Sequence, residues 1–422
     1  MTVTEEWVNE QIKSRLVHEI HTSERKSFRG CRRRWDWIFR EYYYPKVTAK
    51  PLEFGVAFHN AMEVLYNPDT WQMDREIILN AAITEFSNTC NKQRDKYLEI
   101  KKQYQLNTHE DEEDYDERVA LGVGMLKHFG KNIMPEWDKN WKPKHVEIEF
   151  IVPIQNPDTN EYLTCWCKTC QVTARRIIQS EPESYYDEWE DRFQSLAKSG
   201  LPVCLAGRID CIMEDANGNY WIVDWKTAAT ISRERGDEFL FLDDQINSYL
   251  MALRRKLGIK IRGFVYVELR KAFPEPPARN KSIRLGRAYS VSKSATSDYD
   301  TYLKTVREND AEAFEAGLYD EHLEYLKTEG PLFAYRYQIH KADIELEEVE
   351  RVLFTEVQDM IDPDLRIYPN PGRFNCGFCA FRQPCMEQYA QGDVMFTLEE
   401  LFDRRAKHYW VKELSTDKQG GE

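Results

Sequence analysis

Two acidic residues and a lysine form the pattern with the clearest chemical meaning in this sequence. Asp210 lies in the predicted strand 205–213, and Asp224 follows Ile222 and Val223 after a short polar turn. The two segments are predicted to be the strands of one hairpin, which lets both carboxylates reach one point. Two converging carboxylates are stable only beside a cation, and hard oxygen ligands select Mg²⁺ or Mn²⁺.

Lys226 completes this pattern, because a residue two positions after Asp224 points to the same side of a strand. An ammonium group there can stabilise the negative charge that develops on a phosphate under attack, or can orient the attacking water. Acid and lysine two apart are common on strands, but here a second acid lies on the partner strand. The set therefore predicts metal-assisted hydrolysis of phosphodiesters.

Three cysteines near the C-terminal end form a second candidate metal centre. Cys376, Cys379 and Cys385 have the spacing Cys-x2-Cys-x5-Cys, which lets three thiolates bind one centre. The residues alone leave open whether the centre is a zinc ion or an iron-sulfur cluster, because four thiolates suit both. The fourth ligand is missing locally.

A third candidate group is Cys165, Cys167 and Cys170, which together with the nearby Cys204 have the residue types of a zinc site. The alternative, partly buried free thiols, stays open. Cys90 and Cys211 are predicted to be packed core residues.

Length and composition exclude several classes of protein. The 422 residues are 42% hydrophobic, enough for a sizeable core. No apolar run approaches the roughly 20 residues that span a bilayer, and no secretory signal pattern opens the chain, so we expect a cytoplasmic protein. Ten cysteines in a reducing compartment favour metal ligation over disulfides. Neither a phosphate-binding loop nor a dinucleotide fingerprint is present, so we expect chemistry without ATP.

Charge is concentrated in blocks along a chain whose formal net charge is -14. The segments 24–46 and 254–293 are basic and interleaved with aromatic residues, a composition typical of nucleic-acid contact. We expect the run Arg32, Arg33, Arg34 to contact phosphates, with packing around Cys31 as the alternative, whereas Trp35 and Phe39 are predicted to face the core. The acidic segment 110–117 is predicted to be a solvated turn between helices.

The hydrophobic pattern predicts an α/β fold, with a mixed sheet flanked by helices. Helices are expected over 27–43 and 58–65 and in the charged stretch to about residue 131, and another over 244–257. Strands are expected over 145–154, 205–213, 220–225 and 263–268. We predict a helical N-terminal region at 1–140, a core at 141–330 with a polar insertion at about 164–203, and a helical C-terminal region with the cysteine motif at 331–422.

The acids and the lysine together resemble the PD-(D/E)xK nuclease superfamily, in particular its RecB-like branch. That branch carries a Gly-x3-His element before the acids, matched by Gly55 and His59, and a Gln-x3-Tyr on the helix after the lysine strand, matched by Gln245 and Tyr249. The resemblance implies that His59 is a metal ligand together with the two acids, and that Trp225 offers its backbone carbonyl to the metal. It also implies a restriction-endonuclease-like core.

The same resemblance supplies the missing cysteine ligand. Iron-sulfur members of this branch take one cysteine before the nuclease core and three after it, which implies that Cys31 joins Cys376, Cys379 and Cys385 around a [4Fe-4S] cluster. Such a cluster would tie the two ends of the chain together.

These patterns lead to one prediction of function: a Mg²⁺- or Mn²⁺-dependent deoxyribonuclease, an ATP-independent exonuclease acting on single- or double-stranded DNA ends. The resemblance places it with stand-alone phage or prokaryotic enzymes of recombination, repair or CRISPR-adaptation-type end trimming, where a partner protein of recombination or repair is expected. The alternatives are a non-catalytic nucleic-acid-binding protein of the same fold, and a redox or zinc-scaffold protein. The intact acids and lysine argue against both.

Overall fold

The structure is a computed structural model, and it describes residues 3–46, 50–103, 109–180, 186–231, 239–284 and 286–404. The strands of these residues are β1 His18–Ile20, β2 Tyr43–Pro45, β3 Lys142–Pro153, β4 Thr164–Cys165, β5 Leu201–Glu214, β6 Tyr220–Ala228, β7 Ile261–Arg270, β8 Arg279–Arg284, β9 Arg287–Tyr289, β10 Ala334–Ile339 and β11 Phe402–Arg404.

The helices surround the strands and are numbered in chain order. They are α1 Glu5–Lys13, α2 Thr22–Gly30, α3 Arg32–Trp35, α4 Lys50–Leu65, α5 Arg75–Gln103, α6 His109–His128, α7 Met134–Trp137, α8 Lys168–Ser180, α9 Tyr186–Ser199, α10 Asp244–Met251, α11 Tyr299–Asn309, α12 Ala311–Glu315, α13 Asp320–Glu329, α14 Asp343–Ile361, α15 Arg373–Gly377, α16 Arg382–Tyr389 and α17 Val394–Leu401. Short π-helical turns follow α3, α6 and α10, at Asp36–Arg40, Phe129–Ile133 and Ala252–Lys256.

A seven-stranded mixed sheet forms the centre, which confirms the predicted fold class. Strand β5 pairs antiparallel with β3 and β4 along one edge and, along the other, parallel with β1 and antiparallel with β6. Strand β6 then pairs parallel with β7 after the crossover through α10, and β10 closes the order antiparallel to β7. The sheet is therefore part hairpin and part crossover, as the sequence predicted.

Apolar residues cover both faces of the sheet. Along β6, Ile222 faces one apolar cluster, which includes residues of α8, α9, α10 and α14, while Val223 and Trp225 face a second cluster with α4, α5 and α6. This alternation follows from the pleat of a strand that is buried on both faces. The sheet is a layer between two layers of helices.

Several predicted elements differ from the observed ones. The helix expected over 27–43 is broken at Cys31, whose backbone is extended at φ -166° and ψ 111°. The acidic segment 110–117 lies within α6 and is not a turn, because the same segment also carries the helix's buried Tyr115. The regular part of the helix expected over 244–257 ends at Met251 and continues as a π turn.

The predicted insertion folds as β4, α8 and α9 between two strands that pair with each other, β3 and β5. Its helices pack into the larger apolar cluster through residues such as Ala174, Ile178 and Leu196. The N-terminal region also contributes β1 to the sheet. The exact limits of the three regions stay a prediction.

A buried arginine links the N-terminal helices to the rest of the fold. The Arg25 side chain, 1% exposed, donates from Nε to Glu356 at 2.7 Å and from Nη1 to Ser248 at 2.9 Å, and its Nη1 also lies 2.9 Å from an Asp244 oxygen. Arg29 contacts the same two acids but is 47% exposed. Truncation of a buried guanidinium that makes several hydrogen bonds lowers stability strongly, because its carboxylate partners then remain buried without that positive charge.

We therefore predict that Arg25→Ala lowers the free energy of unfolding by about 3–5 kcal/mol, and that the matched control Arg29→Ala lowers it by at most about 1 kcal/mol. Denaturant titration followed by circular dichroism measures both. Equal losses in the two variants would contradict this assignment.

Candidate active site

The candidate active site lies where β5 and β6 separate. Their pairing ends at Cys211 opposite Val223, so Asp210 and Asp224 are the first residues beyond the ladder. On the same edge of β5, β1 pairs only with residues 203–205. The described strands thus leave the edge of β5 at 206–210 open, and this opening exposes the two acids to side chains from both helical layers.

Lys226 and Gln245 bind Asp224 directly. The Lys226 ammonium donates to one Asp224 oxygen at 2.8 Å and lies 2.7 Å from the other, and the Gln245 amide donates to Asp224 at 3.1 Å. Lys226 is thus on the same side of β6 as Asp224, as the two-residue spacing predicted. Gln245 extends from the first turn of α10, where the Asp243 carboxylate caps the helix by accepting from the Ile246 amide.

His59 approaches from the opposite helical layer. It lies on α4, and its Nδ1 is 3.0 Å from a carboxylate oxygen of Asp210. Gly55, four residues earlier on the same helix, has open space where a side chain would begin. The spacing of four puts both residues on one face of α4, so the space above Gly55 adjoins the histidine.

Trp225 contributes its backbone to the opening. Its amide donates to Asp210 Oδ2 at 3.4 Å. In an extended strand the N–H and C=O groups of one residue point to the same edge, so the Trp225 carbonyl faces the same opening. The indole itself is buried and packs on Tyr66, with ring centroids 4.7 Å apart. This side chain therefore holds the strand while the backbone is presented to the site.

Tyr249 lies one turn after Gln245 on α10 and packs edge-on against Phe150, with ring centroids 5.1 Å apart. Both rings cover Gly207, where an added Cβ would come within 2.6 Å of Phe150 and 2.9 Å of Tyr249. The glycine before Asp210 is thus needed for close packing. Burial, and then the charge of Asp224, raises the pKa of Tyr249 to about 12.

The acids of the site differ in their electrostatic state. Burial and then the neighbouring Asp210 carboxylate raise the pKa of Asp224 to about 6. Burial also opposes ionisation of Asp210, but the charges of His59 and Lys226 outweigh it and hold the pKa of Asp210 below its ordinary value. Burial would lower the pKa of Lys226, but the carboxylates of Asp224 and Asp210 raise it above its ordinary value. Asp210 therefore loses its proton at a lower pH than Asp224 does.

The residues present suit a hard divalent cation. The Asp224 Oδ2 atom is buried and accepts no well-aligned hydrogen bond, and Asp210, His59 and the Trp225 carbonyl supply further oxygen and nitrogen donors. The side chains of His59, Asp210 and Asp224 are not all within 4.8 Å of one another, because Lys226 holds one acid and His59 the other. A cation between the acids would compete with these two partners for the carboxylate oxygens.

The sequence reasoning missed two further acids: Glu147, which lies near Asp210, and Glu63, which acts on Glu147. Glu147 of β3 has a backbone φ of 51°. Burial, and then the charge of Asp210, raises the pKa of Glu147. The Arg208 guanidinium donates a hydrogen bond to its carboxylate at 3.0 Å. The charge of Glu63 also acts on Glu147. Glu63 follows His59 by four residues on α4, and that helical spacing is the signal that would have identified it.

The four cysteines assigned to the second centre line one cavity of about 190 Å³, together with Arg33, Arg34 and Trp37. The Asn370 amide donates to the Cys31 sulfur at 3.4 Å and the Gly372 amide to the Cys376 sulfur at 3.5 Å. Burial raises the pKa of the other two thiols, Cys379 and Cys385. The segments 31–37 and 369–389 therefore meet around one thiol-lined cavity.

The third group of cysteines is also brought together, with a histidine that the sequence reasoning did not include. Cys165, Cys167 and Cys170 share one site with His18, and the four ligand atoms all lie within 4.8 Å of one another. Cys204 is not in this group: it alternates with Val203 and Leu205 along β5 and therefore points to the other face. Cys90 and Cys211 are buried, as predicted.

The basic segments contact protein more than the sequence suggested. Arg32 packs over the rings of Phe28 and Tyr368, and Arg33 and Arg34 line the cysteine cavity. All three are half-buried against neighbours, as the packing alternative expects, and their contact with phosphates stays a prediction. Trp35 is buried and Phe39 packs partly against the core, as predicted. In the second basic segment Arg254, Arg255 and Lys256 form ion pairs with acids of α14.

A groove leads to the candidate site along the open edge of β5. It encloses about 340 Å³ and is lined by Gln245 and Tyr249, by backbone and side chains of 206–208, and by the segments 21–24 and 39–44, which include three aromatic rings. The groove therefore connects the site to residues of the first basic and aromatic segment.

The fold and the site define a class of protein. Acids on two neighbouring strands, a lysine two residues after the second acid and flanking helices on a mixed sheet are the parts of a PD-(D/E)xK nuclease core. The family model of the PD-(D/E)XK nuclease superfamily matches residues 22–386. The chain belongs to this superfamily, and membership implies nuclease activity with nucleic acid as substrate. No curated protein matches the chain. Among the described residues, no helix is long and apolar enough to cross a membrane.

The contact between His59 and Asp210 gives a titration that can be measured. Burial lowers the pKa of His59, but the Asp210 carboxylate outweighs burial and the pKa lies above the ordinary value. Asp210→Asn removes that charge and leaves burial, so we predict that the His59 pKa falls below its ordinary value in this variant. NMR titration of metal-free protein with labelled histidine measures the shift.

His59→Gln assigns the resonance, and Asp359→Asn, an exposed acid on α14, is the matched control that leaves the His59 pKa unchanged. An unchanged His59 pKa in Asp210→Asn would contradict the observed pairing.

Proposed function

We propose that the chain is a Mg²⁺- or Mn²⁺-dependent deoxyribonuclease that hydrolyses phosphodiester bonds at DNA ends without ATP. The observation that carries the proposal is the convergence of Asp210, Asp224 and Lys226 at the point where β5 and β6 separate. The two acids are buried, so a bound cation would offset the repulsion between their carboxylates, and the Lys226 ammonium lies next to Asp224. Superfamily membership supports the nuclease chemistry, and the resemblance to stand-alone RecB-like exonucleases supports action at ends.

Each residue of the site takes a role in this proposal. Asp210, Asp224, His59 and the Trp225 carbonyl hold the cation, which supplies charge neutralisation at the phosphate and a more acidic water. Lys226 stabilises the charge that develops on the attacked phosphate. Gln245 keeps Asp224 oriented through its 3.1 Å hydrogen bond. Tyr249, on the same helical face, faces the scissile phosphate group from the groove.

The groove along β5 supports a strand of DNA as the ligand. Its aromatic residues, Phe39, Tyr42 and Tyr44, offer surfaces for unstacked bases. The open space above Gly55 lets a substrate backbone approach the helix of His59 closely. A cytoplasmic role in DNA recombination, repair or adaptation-type trimming of ends, in a phage or prokaryotic setting, fits this activity.

The cavity of Cys31, Cys376, Cys379 and Cys385 is proposed to hold a [4Fe-4S] cluster. A single zinc ion draws its ligand atoms close together, whereas among the described residues no three of these thiols lie within 4.8 Å of one another. The thiols instead surround about 190 Å³. Amide donors to two of the sulfurs are also typical of iron-sulfur centres.

Substitution of the catalytic groups tests the proposed activity. We predict that Asp224→Asn and Lys226→Ala each lower cleavage of linear DNA at least about 100-fold, because both act on charge that develops in the transition state. DNA affinity should change little. The assay uses end-labelled linear DNA with Mn²⁺, and Asp359→Asn is the control that keeps wild-type rates.

Covalently closed circular DNA in the same assay tests action at ends. An exonuclease leaves circular DNA intact, whereas nicking of the circle would contradict the requirement for an end. Separately, full activity of Lys226→Ala on linear DNA would contradict the assignment of the active site.

The proposed cluster predicts a metal content. Protein purified without oxygen should carry about four iron atoms per chain with broad visible absorbance, and Cys31→Ser should lose the iron and unfold at lower temperature because the two chain ends are no longer tied. Cys90→Ala, a buried thiol outside the cavity, should keep it. Wild-type protein that carries zinc and no iron in this cavity would decide for the zinc alternative.

A further inference from the structure

Three elements meet at the group formed by His18, Cys165, Cys167 and Cys170. His18 begins β1, Cys165 ends β4, Cys167 directly precedes α8, and Cys170 lies in the first turn of that helix. Both strands pair with β5, on its opposite edges. The group therefore spans the width of three strands at one end of the sheet and lies apart from the acids and the thiol-lined cavity.

The distances within the group match a tetrahedral metal site. Zinc bound by cysteine at about 2.3 Å and by histidine at about 2.0 Å places two sulfurs about 3.8 Å apart, and a nitrogen and a sulfur about 3.5 Å apart. The Cys167 and Cys170 sulfurs are 3.6 Å apart, and Cys167 is 3.7 Å from His18 Nδ1. The contact between His18 and Cys170, at 3.0 Å, is the shortest. Unrelated side chains seldom converge in this way from separate elements.

The local structure also favours thiolates. Free amide groups at the start of a helix stabilise negative charge, and two of the three cysteines lie at the start of α8. Cys165 and Cys170 are buried and Cys167 is half-buried, which shields the group from solvent. One neutral imidazole and three thiolates form a closed ligand set, as in structural sites, with no position left for a substrate.

We propose that His18, Cys165, Cys167 and Cys170 bind one structural Zn²⁺ ion. The ion ties β1 to the segment of β4 and α8 across the end of β5. Beside it, the Tyr42 hydroxyl donates to Thr169 at 2.9 Å, which links the segment that precedes β2 to the same helix, α8. Because β1 leads directly into residues 21–24, which line the groove, the ion fixes one wall of that groove. The site is independent of the nuclease and iron-sulfur assignments.

Metal analysis of the full chain tests the proposal. Wild-type protein expressed with zinc and purified without chelators should contain one zinc per chain by mass spectrometry of the metals. His18→Ala and Cys167→Ser should each reduce zinc at least about tenfold. Cys204→Ala, close in sequence but outside the group, should keep the zinc, and so should Cys376→Ser, whatever happens to iron in that variant.

Two further measurements keep the proposal testable if a variant loses zinc only because it does not fold. X-ray absorption at the zinc edge of wild-type protein should show three sulfur neighbours at about 2.3 Å and one nitrogen at about 2.0 Å. Hydrogen exchange in residues 16–24 should be faster in His18→Ala than in wild type. Wild-type protein with less than about a tenth of an equivalent of zinc, or four sulfur neighbours at the zinc edge, would overturn the proposal.

Discussion

The repulsion between two carboxylates that the fold places side by side is the constraint on which the site depends. Asp210 and Asp224 are held at the point where two strands of one sheet stop pairing, with their backbones fixed by β3 on one side and β7 on the other. Neither acid can move away from the other without breaking those ladders. Each is therefore stabilised by its own cationic partner, Lys226 for Asp224 and His59 for Asp210.

This constraint explains why the surrounding helices lie where they do. The opening between β5 and β6 lets α4 present His59 from one layer and α10 present Gln245 from the other. A continuous hairpin ladder would have closed that access. The aromatic and apolar residues on both faces, such as Trp225 against Tyr66, hold β6 rigidly, while its backbone edge beyond Val223 is not paired with β5. Rigid positioning of this kind is what charge stabilisation in a transition state requires.

Local patterns made much of this predictable. The spacing of Asp224 and Lys226 fixes one face of a strand, and the spacing of Gln245 and Tyr249 fixes one face of a helix, so both pairs could be placed from sequence periodicity alone. The strands of the core were predictable for the same reason. The break at Cys31 was not, since it depends on contacts such as that from the Asn370 amide, more than 300 residues away in the chain.

Residues whose role arises only from long-range packing escaped the sequence reasoning. Glu147 approaches Asp210 through an unusual backbone conformation in β3. His18 joins cysteines about 150 residues later because β1 and β4 both pair with β5. The arginines at 32–34 were expected to contact phosphates, but the sequence did not indicate that Arg32 packs on the distant ring of Tyr368 or that Arg33 and Arg34 line the cysteine cavity. In each case the spacing along the chain carries no trace of the contact.

The most direct test of the central claim is an anomalous diffraction map, recorded at the manganese edge, of crystals soaked in Mn²⁺. We expect a single strong peak at this site, between the carboxylates of Asp210 and Asp224 and next to the Trp225 carbonyl, and no such peak in Asp210→Asn crystals. A map with no peak between these carboxylates, or with the same peak in the variant, would contradict the claim that the strand opening exists to hold a divalent cation.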